Sequence, residues 1–179
     1  INLLLVVPLR FILISIKQNK GIRDKTIHSI LWNESINDSA QYVKNFLPEV
    51  LLFDNKQALW DFTIAKIEAF GPCDILEFGC YKANSINYFS MRLPNNKFYG
   101  FDSFKGLPGD WLGHHLPKGT FDLKSKLPRV TKNVELIPGW FDESLPVFFK
   151  NNTNLNTFLL HIDSDTYVSA CTVLSNTID

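Results

Sequence analysis

From position 54 onward the apolar and polar positions of the chain alternate between two periods. Asp54 to Phe70 places Leu59, Phe62, Ile64, Ile67 and Phe70 at helical spacing, with Asp54 as N-cap and Gly71-Pro72 as the stop. Asp74 to Phe78 is then a short apolar run ending at Gly79. Asn84 to Leu93 is helical in pattern, and Lys97 to Phe101 is a second apolar run with Asp102 at its end. Asn133 to Ile137 predicts a third strand, Asp142 to Lys150 a helix and Thr157 to Ile162 a fourth strand, and a last helix opens near Tyr167. Short strands separated by helices imply βαβ units, hence an α/β fold with a mostly parallel sheet and helices on both faces. The pattern leaves the order of the strands open.

Before position 54 the pattern is weaker. Residues 21 to 53 are mixed, with one helix expected around Asp38 to Phe46 and closed by Pro48. They read as a lid or an oligomer contact, so a homo-oligomer is among the expectations. Ile1 to Ile16 is strongly apolar but interrupted by Pro8 and Arg10, and it is shorter than the roughly 20 residues a bilayer span needs. It reads as a packing helix or the remnant of an interfacial anchor, which allows weak peripheral membrane contact and no transmembrane span. The charge order does not fit a signal peptide, because Arg10 falls inside the run and Lys17 follows it.

Composition narrows the function classes. With 45% hydrophobic and 20% charged residues the chain reads as a soluble globular protein. Its 18 basic and 18 acidic side chains leave no net field to gather nucleic acid. Cys73, Cys80 and Cys171 are odd in number and form no CxxC pair, which points away from a disulfide framework or a zinc site and toward a reducing, cytoplasmic location.

In an open α/β sheet ligands bind beyond the carboxyl ends of the strands, so the residues at those ends belong together. The first end, Glu77 to Ser85, is a strand-to-helix turn with Gly79 at its start. Its helix N-terminus suits a negative group, Ser85 adds a hydroxyl donor, and Glu77 suits an ammonium or another polar group. Asp102, 25 residues after Glu77, suits the two hydroxyls of a ribose, or else caps a turn. Ser103 follows it. Trp140 and Phe141 stand after the third strand and Asp163, Ser164 and Asp165 after the fourth. Asp163 and Asp165, two apart, diverge and do not chelate one ion together; Asp165 is expected to cap the next helix. Between Ser103 and Lys132 lies a segment longer than an ordinary connection, in which Trp111 and Phe121 favour a substrate-covering loop. His114 and His115 lie in it and read as a solvated pair with a catalytic option. His161 reads as a satisfied core histidine.

The strings LEFGCYKANS (Leu76 to Ser85), FYGFDSFKGLP (Phe98 to Pro108), VELIPGWFDESLP (Val134 to Pro146) and LHIDSDTYVSACTVL (Leu160 to Leu174) resemble, in order and spacing, the macrocin O-methyltransferase (TylF/MycF) family. The resemblance covers roughly residues 50 to 179. It implies a Rossmann-like class I methyltransferase that uses S-adenosylmethionine, with a divalent metal such as Mg²⁺, to methylate a hydroxyl of a sugar or other small natural product. Glu77, Gly79, Tyr81 and Ser85 would then surround the methionine end, Asp102 the ribose, and Trp140 with Phe141 the adenine, with Ser103 also among the cofactor-binding residues. Asp163 would sit beside the transferring methyl group, as metal ligand or general base. Ala83 and Asn84 depart from the family's first motif, which usually has glycines there. The expected division is an N-terminal helical or lid segment, 1–53, and a methyltransferase domain, 54–179. Because the chain opens on Ile1 and ends at Asp179 within a helical pattern, that domain is expected to be C-terminally truncated and its metal site incomplete. Two rivals stand beside this reading. A nicotinamide-dependent oxidoreductase wants a GxGxxG turn, of which Gly79 to Asn84 supplies only the first glycine. A catalytically silent cofactor-binding or scaffold domain would keep the fold alone.

Overall fold

The computed structural model describes residues 5–8, 26–111, 116–124 and 126–177, so His114 and His115 lie outside the described residues. The chain divides into two compact units, Ile12–Leu59 and Ile1–Phe11 with Trp60–Asp179. The smaller unit holds helix α1 (Ile27–Phe46), which ends before Pro48 as expected but starts well before Asp38. Thr26 caps it by accepting the Ser29 N–H. Ser35 and Ser39 donate their hydroxyls to the carbonyls of Leu31 and Ser35 one turn back, which satisfies the hydroxyls within the helix. Helix α2 (Lys56–Phe70) starts one residue later than expected, so Asn55 and not Asp54 is its cap, accepting the Ala58 N–H at 2.9 Å. Among the described residues no helix is long and apolar enough to cross a membrane.

The larger unit is built on five parallel strands in the order β1-β5-β2-β3-β4. The four expected strands form within a residue of their predicted bounds: β2 (Asp74–Phe78), β3 (Lys97–Asp102), β4 (Val134–Pro138) and β5 (Thr157–Ile162). Helices α3 (Asn84–Arg92), α4 (Phe141–Asn151) and α5 (Tyr167–Thr177) alternate with them. Of the N-terminal apolar run only Leu5–Pro8 are described, and there the expected packing helix gives way to a strand, β1, paired in parallel with β5 at the edge of the sheet; the remainder of Ile1 to Ile16 lies outside the described residues. Val6 and Val7 favour an extended chain, and an edge tolerates Pro8 where a helix interior does not.

Period-2 alternation sends successive residues of the central strands to opposite faces, and both faces are buried. Ile75, Phe98 and Leu159 join Trp60, Ile64 and Ile67 of α2 and Ile86 and Phe89 of α3 in one core. Leu76, Phe78, Tyr99, Phe101 and Leu160 join Leu145 and Phe148 of α4 and Val173 of α5 in the other. The chain runs outward from β2 through β3 to β4, then returns to the other side of β2 as β5. That reversal makes the crevice between the ends of β2 and β5 the topological switch point of the sheet, where open α/β sheets bind their ligands.

Asn133, expected as the first residue of a strand, stands one residue before β4 and works through its side chain. Its amide nitrogen lies 3.1–3.2 Å from the carbonyls of Ser90, Leu93 and Asn96 and satisfies the C-terminal end of α3. Asn133→Ala should therefore lower unfolding free energy by about 1–3 kcal/mol, the cost of part-buried carbonyls left without donors. Chemical denaturation would show it; an unchanged midpoint would mean water replaces the amide at no cost.

Candidate cofactor and active site

The residues just beyond β2, β4 and β5 each extend the sheet by one more bond. Gly79 donates to the Phe101 carbonyl at 2.9 Å, Gly139 to Asp102 at 3.0 Å and Asp163 to Phe78 at 2.8 Å. Beyond these bonds the chain turns away, and the splayed ends frame a cavity of about 670 Å³. Gly79, Tyr81, Asp102, Ser103, Trp140, Phe141 and Asp163 all line it, so seven of the nine residues assigned to the site from the sequence meet in one place. The two exceptions are Glu77 and Ser85.

Gly79 is fixed by its neighbour. At φ +97° it adopts a conformation that costs glycine nothing, and a Cβ there would lie 2.5 Å from the Asp163 carbonyl oxygen. The turn continues through two non-glycine residues in left-handed conformations, Tyr81 (φ 46°) and Ala83 (φ 59°). Ala83 is fully buried and precedes α3, so the departure from glycine puts a methyl group into the core while the backbone keeps the turn that glycine would favour.

Asp102 ties this turn to the next. Its Oδ2 accepts the Tyr81 N–H and its Oδ1 the Phe104 N–H, both at 2.7 Å. The turn-capping role and the place in the cavity therefore coexist. A carboxylate offers about four lone-pair directions, and two of them remain beyond these bonds.

Glu77 and Ser85, expected at the methionine end of a ligand, are not among the cavity's lining residues. Glu77 is 2% exposed. Its Oε1 accepts the Ser85 hydroxyl at 2.7 Å and its Oε2 lies 2.8 Å from Nδ1 of His161, itself 3% exposed. His161 is thus a satisfied core histidine, as expected, but its partner is the acid assigned to the ligand. Burial pulls the imidazole pKa down, yet the charge and hydrogen bond of Glu77, helped by Asp163, leave it above its ordinary value. Cys80 beside them is pushed well above the usual thiol range by burial and then by Glu77, Asp102 and Asp163, so it stays a neutral, inert thiol.

The long segment after Ser103 folds back on itself. Leu107 donates to Thr120 and Gly119 to Leu107, and isolated antiparallel bridges join Lys105 to Asp122 and Trp111 to Leu116. A side chain at Gly106 would strike the Thr120 carbonyl, so glycine lets the two arms close. Gly106, Leu107, Pro108, Lys118 and Phe121 line the cavity from this arm, Phe121 with its ring edge against Tyr81 at 5.3 Å. Of the two aromatic residues expected in a covering loop, Phe121 lines the cavity and Trp111 does not. The first turns of α5 supply a wall the sequence reading did not anticipate, with Thr166, Ser169 and Thr172 at helical spacing. Thr166, not Asp165, caps α5, accepting the Ser169 N–H at 3.2 Å. Asp165 lines the cavity instead.

No family model matches the chain, and no curated protein matches it by sequence. Among solved structures it is similar to the crystal structure of CalS11, a calicheamicin methyltransferase, at 19% identity and a TM-score of 0.56, over 87% of this chain and 74% of that one. An apo structure of CalS11, described as a TDP-rhamnose 3'-O-methyltransferase in calicheamicin biosynthesis, aligns over 88% of this chain and 74% of that one, at 19% identity and a TM-score of 0.47. The O-methyltransferase NovP aligns over 67% and 57%, at 18% identity and a TM-score of 0.47. The first likeness shows the fold alone: an α/β, Rossmann-like parallel sheet with helices on both faces.

Gly79→Ala should be strongly destabilising. It forces a left-handed alanine and drives its Cβ into backbone that cannot yield, costing about 2–4 kcal/mol. Thermal unfolding of the variant would show a large fall in midpoint; a parent-like midpoint would mean that β2 and β5 do not meet as described.

Proposed function

We propose that this chain is an S-adenosylmethionine-dependent O-methyltransferase whose acceptor is a hydroxyl of a sugar or another small natural product. The observation that carries the reading is the single cavity at the switch point, into which the first turn, Asp102, the Trp140-Phe141 pair and Asp163 converge. The fold shared with CalS11 and the four ordered motifs support it.

The residues present suit the cofactor. The tight Gly79 turn lets backbone approach the ligand, Asp102 keeps lone pairs for the ribose hydroxyls, and Trp140 with Phe141 offers an apolar wall for the adenine. When bound, the cofactor supplies a methyl group on a sulfonium for direct in-line transfer. The chain's part is to hold the acceptor oxygen in line and to take its proton as the new bond forms. We assign that proton to Asp163, which lines the same cavity just beyond β5. The folded-back arm, with Leu107, Pro108 and Phe121, shields the reaction from water.

Among the described residues no group of three His, Cys, Asp or Glu side chains forms a ready-made metal cage. Magnesium keeps several waters and needs only one or two protein carboxylates, so Asp163 would serve as one ligand if the ion binds in this cavity.

The turn also weighs against a nicotinamide dinucleotide. A GxGxxG turn puts glycine at the second position so that backbone can approach a pyrophosphate, and here that position is Tyr81, which lines the cavity.

Calorimetry should show binding of S-adenosylmethionine and S-adenosylhomocysteine and none of NAD; the reverse would sink the reading. With a panel of hydroxylated glycosides and labelled donor, Asp163→Asn should lower turnover by about a hundredfold while leaving cofactor affinity close to the parent's. Near-normal turnover would remove Asp163 from the chemistry.

A further inference from the structure

Glu77 and His161 are registered directly across the two central strands, β2 and β5. They are buried, and their side chains are bonded at 2.8 Å on the face covered by α3, with the Phe89 ring 6.0 Å from the imidazole at a steep angle. Ser85, in the first turn of α3, closes the set through its hydroxyl on the other carboxylate oxygen. Three elements thus meet at one carboxylate.

Stability alone is a weak reason for such a group. Taking two ionisable side chains out of water is expensive, and a well-packed apolar pair in the same space is often as stable or more so. What an apolar pair lacks is direction, because a hydrogen bond fixes distance and angle while packing tolerates sliding. The location gives that direction a use. Two residues beyond Glu77 is Gly79, and two residues beyond His161 is Asp163; these two touch backbone to backbone. One opens the turn assigned to the donor, and the other carries the carboxylate assigned to the acceptor.

We propose that Glu77, His161 and Ser85 are positioning residues that set the separation of the Gly79–Ala83 turn from Asp163 without touching either ligand. The proposal rests on the reading of the site given above for what the separation serves. Its structural content, a clamp between β2, β5 and α3 that orders both strand ends, stands on the geometry alone.

The test compares the full-length chain with Glu77→Leu/His161→Leu, which removes the polar group, and with Glu77→Gln, which keeps an oxygen for the imidazole N–H and an amide for Ser85. The double variant should unfold near the parent's midpoint. Its amide exchange should accelerate by about tenfold or more over 79–85 and 163–166 while 98–101 and 134–137 remain protected. Its affinity for S-adenosylhomocysteine should fall by about tenfold or more, and Glu77→Gln should restore both properties toward the parent. Parent-like exchange at both strand ends in the double variant would overturn the proposal whatever its affinity. If the double variant does not fold, His161→Gln decides: a folded variant with loosened strand ends supports positioning, and loss of fold there too makes the group purely structural and overturns it. A parent chain that binds no S-adenosylhomocysteine would defeat the functional reading, and exchange would still decide the clamp.

Discussion

The carbonyl oxygen of Asp163 lies where a Cβ at position 79 would have to stand, and the Asp163 N–H bonds the carbonyl of Phe78 one residue earlier. This contact between the ends of β2 and β5 is the constraint on which the upper rim of the sheet depends. It forces glycine at 79, sends the chain into a left-handed turn that starts α3, and leaves the Tyr81 N–H pointing to Asp102 on the next strand. Asp102 in turn accepts the Phe104 N–H and so launches the long arm that folds over the cavity. Rim, turn and cover thus follow from one close approach at the switch point.

Beneath the rim the sheet is ordinary in composition and unusual in one place. Most inward positions of β2, β3 and β5 are large and apolar, and they fill a core on each side. The Glu77, His161 and Ser85 group interrupts this pattern on the α3 side, immediately under the turn. Both carboxylate oxygens of Glu77 are bonded within the group, which favours a buried acid at that depth. Cys80, held neutral beside it, is packing material and not a nucleophile.

Much of this architecture is legible in the amino-acid order because local periodicity and global fold agree from Lys56 onward. Thr157–Ile162 and Asp74–Phe78 read as strands and are strands, since both bury alternating faces. Short-range capping was off by one at α2 and α5: Asn55 and Thr166 compete with adjacent aspartates, and where the first turn starts decides between them. The start of α1 was missed because Ser and Asn, frequent between Ser29 and Ser39, are weak helix formers that blur the helical pattern. The site was legible as far as strand ends define it. Glu77 was placed at the ligand because its cross-strand partner is 84 residues away, and no local pattern announces that pairing. The wall formed by Thr166, Ser169 and Thr172 has a helical spacing that signals a polar helix face but not what the face adjoins.

The central claim is that a sulfonium cofactor sits at the switch point, between the ends of β2, β3, β4 and β5. Its most direct test is an amide NMR titration of the isotopically labelled chain with S-adenosylhomocysteine, read residue by residue. Saturable shifts at Gly79, Tyr81, Asp102, Ser103, Trp140, Phe141 and Asp163, with Glu135, Val147 and Asn151 on the outer side of β4 and α4 unmoved, are the result the account predicts. Saturable binding whose shifts fall on that outer side and spare the strand ends would contradict it.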